Sequence, residues 1–164
     1  MVQGGVQEPR LPRQIEADAR CGAIRSVLTA RTRPLWENGS VAVPELALTA
    51  SLAKALRAAL ARGQLQRGLE AAVASLAAER RGLLTPGDRV SRLCLVANDG
   101  AERFYRQVER CLTAHAPRLL GGLLDVDGAT LGNVLYGRSS AVKLVLVDHK
   151  DAVSTVLRSL APEA

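Results

Sequence analysis

Three apolar runs alternate with three helix-patterned segments across the second half of this chain, and that cadence restricts the fold more than any other feature. The runs are Leu93–Ala97, Leu119–Val126 and Val142–Val147. The segments are Ala101–His115, Asp127–Gly137 and Asp148–Leu160. Short apolar runs bounded by turn residues and interleaved with helical periodicity predict a layered α/β domain. Strands joined by helices need long crossovers, so a sheet that is mainly parallel at its centre is expected. The predicted class is α/β, a three-layer α/β/α sandwich with a small, mostly parallel or mixed sheet.

Two further helices precede this region. Leu52, Leu56, Ala59 and Leu60 share one helical face, with Thr49 or Ser51 as cap and Gly63 as stop. Leu69, Val73 and Leu76, with Ala72 and Ala77, mark a second helix over about residues 68–80. Gly82–Asp88 is a turn-rich connector. Downstream, Phe104, Val108, Cys111 and Leu112 form one core face, and Pro117 ends that helix. Leu131, Val134 and Leu135 form another, with Asp127 as cap. Val153, Val156, Leu157 and Leu160 form the last, with Asp148 or Asp151 near its cap.

The first 48 residues carry less pattern. Residues 1–20 are polar, with Gly4, Gly5, Pro9 and Pro12, and are expected to be a mobile basic tail. Residues 21–48 form a small N-terminal segment. Ile24–Leu28 and Val41–Val43 are expected as short strands about the turn Glu37-Asn38-Gly39-Ser40. The α/β/α domain then covers residues 49–164.

Basic charge is uneven. Residues 1–87 hold 12 basic and 7 acidic side chains, whereas residues 88–164 hold 10 and 9. The formal net charge of +6 favours polyanions through counterion release. An Arg-rich, Ala-rich composition also follows from a GC-rich genome, so charge alone does not select between the two. Cys21, Cys94 and Cys111 show no metal-ligand or disulfide spacing, which fits a reducing cytoplasm. No apolar run reaches membrane-spanning length, and the N-terminus has no apolar signal-peptide core.

Catalytic chemistry finds no foothold. GxGxxG and Walker patterns are absent, and His115 and His149 lack a nucleophile-elbow partner. Asn98, Asp99 and Glu102 at a strand end suit helix capping better than acid–base work. Asp125 and Asp127 form an Asp-x-Asp pair without further Mg²⁺ ligands. A regulatory domain with an acidic strand-end site at Asp99, Asp125 and Asp148 is a distant third reading. Gly121-Gly122 marks close packing or a bulge in its strand. Trp36, Phe104, Tyr105 and Tyr136 form no stacking platform; Phe104 is read as core, and Trp36 as an anchor for the N-terminal segment. No catalytic residue, metal or cofactor is expected.

Taken in order, the elements of residues 50–162 resemble the ribosomal protein family that binds kink-turn RNA, written in words as L-seven-Ae/L-thirty-e. The matching segments are Ala59–Leu69 (ALARGQLQRGL), Gly68–Glu79, Arg92–Asn98 followed by Asp99-Gly100-Ala101-Glu102, Thr130–Gly137 (TLGNVLYG) and Val142–Asp148. Residues 20–48 are similar to a degenerate YlxR-like segment: Arg20-Cys21, Ile24-Arg25-Ser26-Val27, then Gly39–Pro44. They lack its basic turn and second cysteine.

The resemblance implies that family's sandwich topology, a non-enzymatic role in translation, and a cytoplasmic, bacterial setting. Structured RNA, ribosomal RNA included, would be met at the N-terminus of the second helix and in neighbouring loops. A helix N-terminus supplies open N–H groups and a positive dipole end for phosphate. The residues so implicated are Arg62, Gln64, Arg67, Gly68 and Glu70, with Asn98, Asp99, Thr130 and Asn133 in adjacent loops. The pattern departs at Leu69, Ala71, Ala72 and Val73, where the family's strong binders carry Asn and Lys. Backbone electrostatics rather than base readout is therefore implied. The alternative is a protein-interaction module on the same fold that has lost RNA binding, with a partner docked through the N-terminal segment.

Overall fold

A computed structural model describes residues 9–83 and 87–161. The first eight residues of the expected tail and Leu84–Pro86 of the connector lie outside the described residues.

The elements run α1 (Arg13–Glu16), α2 (Cys21–Ala30), β1 (Thr32–Pro34), β2 (Ala42–Leu46), α3 (Ala50–Ala61), β3 (Leu65–Arg67), α4 (Leu69–Arg81), β4 (Arg92–Val96), α5 (Glu102–His115), β5 (Leu119–Leu124), α6 (Gly128–Tyr136), β6 (Leu144–Val147) and α7 (Lys150–Ser159). Six strands form one mixed sheet in the order β1-β2-β5-β4-β6-β3. Alternation along the central strands divides the core into two. Leu93 and Leu95 of β4 and Val145 and Val147 of β6 face α2, α3, α6 and α7. Cys94, Val96, Leu144 and Leu146 face α4 and α5. A sheet covered on both sides reads as unbroken apolar runs, which is why these strands stand out in the sequence. The three-layer α/β/α sandwich is the observed architecture.

Strands β2, β5 and β4 are mutually parallel, as expected. Strand β6 is not: it pairs antiparallel with β4, and β3 antiparallel with β6. The reason lies in the return from α6. The chain doubles back along that helix, so that the Val142 N–H donates to the Gly128 carbonyl at 3.0 Å. β6 therefore begins at the sheet edge where β4 and β5 end.

The N-terminal third corrects three expectations. Ile24–Leu28 is helical, not a strand, because Ile24 and Leu28 are one turn apart and both buried. The antiparallel ribbon pairs β1 with β2, in register Arg33 opposite Val43, and Asn38-Gly39 lies within the longer loop between them. Residues 9–20 do not form a tail. Leu11 and Ile15 are fully buried in the α3/α7 side of the core. The Val90 N–H donates to the Arg10 carbonyl at 2.7 Å, and Arg158 pairs with Asp18 at 2.9 Å.

Several local expectations hold. Thr49 caps α3 by accepting from the Leu52 N–H, and Asp127 caps α6 by accepting from Thr130. Gly63 ends α3 in the left-handed region at φ 71°. Gly121 and Gly122 are close-packing positions, since a Cβ on either would come within 3 Å of a leucine side chain. The cap of α7 is His149, whose Nδ1 accepts from the Asp151 N–H at 3.1 Å, rather than an aspartate.

Candidate nucleic-acid interface

Strand directions bring chemistry to one edge of the sheet. β2, β5, β4 and β3 end there, and β6 starts there. At that edge, Arg67 closes β3 and Gly68 opens α4 with φ 90° and ψ 160°, a conformation natural only to glycine. No side chain caps α4, so the N–H groups of its first turn point outward without a side-chain acceptor. The Gly68 N–H itself donates to Leu144 O at 2.8 Å, which locks the start of α4 onto β6.

An open groove of about 750 Å³ runs from this helix start toward α5. Arg67, Gly68 and Glu70 form one end and Lys143 the adjacent wall, while Val73 and Phe104 supply apolar surface. Val73 is 43% exposed, the one large apolar side chain so exposed among the described residues. Its spacing with Leu69 and Leu76 places it among the apolar positions that mark this helix. The buried stripe of α4 is Ala72 and Leu76 instead. Phe104 is likewise not core but half-buried at the groove, and Tyr105 takes the inward position.

The Asn98–Gly100 loop braces the same edge. Lys143 Nζ lies 2.8 Å from Asp99 Oδ2, and Asp99 Oδ1 accepts from the Gly128 N–H at 2.8 Å. These contacts, the lysine first, hold the Asp99 carboxyl below the usual carboxylate range. Contrary to the capping expected of the acidic cluster, the loop does not cap α5: Ala101 is the N-cap, and its methyl group offers no hydrogen-bond acceptor. Asp99 instead ties β4, β6 and the start of α6 together. Tyr105 completes the brace, donating to Ala97 O at 2.6 Å and accepting from the Gly100 N–H at 2.9 Å.

The predicted residues do not form one cluster. Arg67, Gly68 and Glu70 line the groove. Asp99 lies beside it, exposed and paired with Lys143, whereas the exposed Asn98 lines a separate cleft with Arg31, Arg33 and Asp125. Thr130 and Asn133 are exposed on α6 and line no part of the groove. Arg62 and Gln64 belong to the opposite edge: the Asp148 N–H donates to Gln64 O there, at the end of β6. The three residues of β3 separate Gln64 from Gly68, four steps that span roughly 13 Å at about 3.3 Å each. The segment that links the first two predicted helices is thus a strand, and it carries its two ends to different faces. Arg67 also stacks over the Tyr136 ring at 4.5 Å and donates to Ala141 O at 3.3 Å, so its charge is held at the groove mouth.

Lys143, Val73, Phe104 and Gln107 were not foreseen as site residues. Lys143 sits at the start of an apolar strand and gives no local signal. Only the placement of β6 between β4 and β3 brings it to α4.

The other candidate chemistry disperses. Asp125 Oδ1 accepts from the Leu48 N–H, Asp127 caps α6, and Asp148 accepts from Gln66 Nε2 at the far edge. Among the described residues no group of three His, Cys, Asp or Glu side chains is placed to hold a metal. His115 is partly buried, which lowers its pKa. No helix among the described residues is long and apolar enough to cross a membrane.

No model of a known protein family matches the chain, and no curated protein matches it. Its chemistry is therefore read from the groove itself. That groove combines outward backbone donors, two cations and an apolar wall, a set that can hold a phosphate at one end and a base or an apolar side chain at the other.

Proposed function

We propose that this protein is a non-enzymatic RNA-binding domain that acts in translation, with structured RNA held at the α4/α5 groove. One observation carries this reading: the uncapped first turn of α4 opens beside Arg67 and Lys143 onto a wall that exposes Val73. A backbone phosphate would take the helix N–H groups and the cations, and an unstacked base would lie against Val73 and Phe104. The resemblance of residues 50–162 to kink-turn-binding ribosomal proteins supports the same helix start. The Leu69–Val73 sequence there argues for backbone contacts over base reading.

Charge balance in the groove favours a second reading, a protein-interaction surface. Glu70 lies beside Arg67, and Lys143 is committed to Asp99. Filter binding against a kink-turn hairpin and an unstructured RNA separates the two. RNA binding predicts a dissociation constant below about 10 µM in 100 mM salt, weakened by Arg67→Glu and Lys143→Glu with a shallower salt slope. Absence of binding to either RNA refutes the reading and leaves the protein-interaction surface.

A further inference from the structure

On the other face of the sheet, a cleft of about 230 Å³ opens between α3 and α7. Its polar lining is Arg20, Lys54, Arg158 and the hydroxyls of Ser51, Thr155 and Ser159, over a floor of Ala55, Ala58 and Ala161. No acidic side chain lines it. Asp18, the carboxylate bonded to both lining arginines, holds them in place. Its Oδ1 accepts from the Arg20 N–H at 2.8 Å and from Arg20 Nε at 3.3 Å, and its Oδ2 accepts from Arg158 Nε at 2.9 Å.

That arrangement orients two guanidinium groups without saturating them. Each uses its Nε on Asp18, while the terminal Nη groups of both have no acceptor among the described residues. Lys54 has no ion-pair or hydrogen-bond partner among the described residues, although it stands one turn from Ala58 on the face toward the cleft. Three cations set against one carboxylate leave a net positive cleft. A latch that only fastened the N-terminal segment would need neither Lys54 nor the second guanidinium.

We infer that this cleft is a binding site for a phosphate group, carried either on a small metabolite or on a polynucleotide backbone. The two guanidiniums offer planar paired donors, the geometry that suits a phosphoryl oxygen pair. Lys54 adds a mobile point charge, and Ser51 adds a free hydroxyl donor near the start of α3. Thr155 and Ser159 donate to backbone carbonyls of α7, so they shape the wall rather than bind the anion. The site is independent of the α4/α5 groove and does not rest on RNA binding there.

Pyrophosphate, titrated at constant ionic strength against sodium chloride and followed by thermal shift, tests it. A saturable rise in melting temperature is expected for the natural protein. Lys54→Glu enters from α3 and Thr155→Glu from α7. Both positions are exposed, so both variants should keep the fold. Each should shift the titration midpoint at least about tenfold, since each places a negative charge in the cleft. No saturable rise beyond the chloride control overturns the inference, as does an unchanged midpoint in both variants. The same variants assign the source. A parallel loss of affinity for the RNA hairpin places the phosphate on a polynucleotide, and unchanged RNA affinity places it on a small molecule.

Discussion

Replacing Gly132 with alanine should destabilise the protein, although the same change in an ordinary helix stabilises it. Gly132 lies within α6, where alanine is favoured over glycine by about 1 kcal/mol. Here, however, a Cβ would stand 2.4 Å from Ser140 O, 2.6 Å from Ser140 C and 2.9 Å from Ala141 Cα. All three atoms are backbone, so no side-chain rotation relieves them. The return loop must move away from α6. Overpacking of this kind costs about 1–3 kcal/mol, and at backbone contacts the upper part of that range applies. After the propensity gain is subtracted, the net loss is about 1–2 kcal/mol. For a chain of this size that lowers the melting temperature by about 2–8 °C. The displaced loop also carries Ala141, the acceptor for Arg67, and Lys143. RNA affinity should fall along with stability. Gly22→Ala serves as the internal control: nothing lies within 4 Å of its Cβ position in α2, so it should stabilise by about 0.5 kcal/mol. Circular dichroism melts of the two variants suffice. A Gly132→Ala protein as stable as the parent would refute the close-packing argument.

Three further outcomes follow from the packing. Leu11→Ala and Ile15→Ala should each cost about 2–5 kcal/mol in urea unfolding, because both side chains are fully buried; losses near zero would restore the view of residues 9–20 as a tail. Stability should decline as pH falls from about 4 to about 2, because Asp18 is held at about 2 by the Arg20 N–H and then by Arg158, below its ordinary 3.8. A depressed acid stabilises above its unfolded pKa and loses that contribution on protonation, and Asp18→Asn should flatten the acid limb of a pH–stability curve. Thiol labelling of the native protein should modify Cys21 first: Cys94 and Cys111 are buried and burial pushes both thiols up, so they should react only on unfolding.

The helices and central strands were legible because their causes are local. Unbroken apolar runs mark β4, β5 and β6, helical spacing of leucine, valine and alanine marks α3, α5 and α7, and Thr49, Asp127 and Gly63 mark where helices begin and end. The start of α4 near Gly68 was legible for the same reason, whereas Arg67, Gly68 and Glu70 were singled out as a site only by the family resemblance. The Ile24–Leu28 run was not, since five residues with apolar ends satisfy both periods. Its helical state is decided by packing against the sheet.

Other features arise from pairing between distant segments. Leu65–Arg67 is too short to carry periodicity and becomes a strand because β6 offers it an edge. The direction of β6 depends on Gly132, which lets the return loop lie against α6. That reversal in turn brings Lys143 beside α4 and sends Arg62 and Gln64 to the opposite edge. Residue patterning by itself determined where the central strands β4, β5 and β6 and the helices α3, α4, α5, α6 and α7 lie, because those depend on neighbours a few positions apart. Strand order, strand direction and the residues that meet at the groove were decided only in the tertiary structure, because they depend on contacts between segments tens of residues apart.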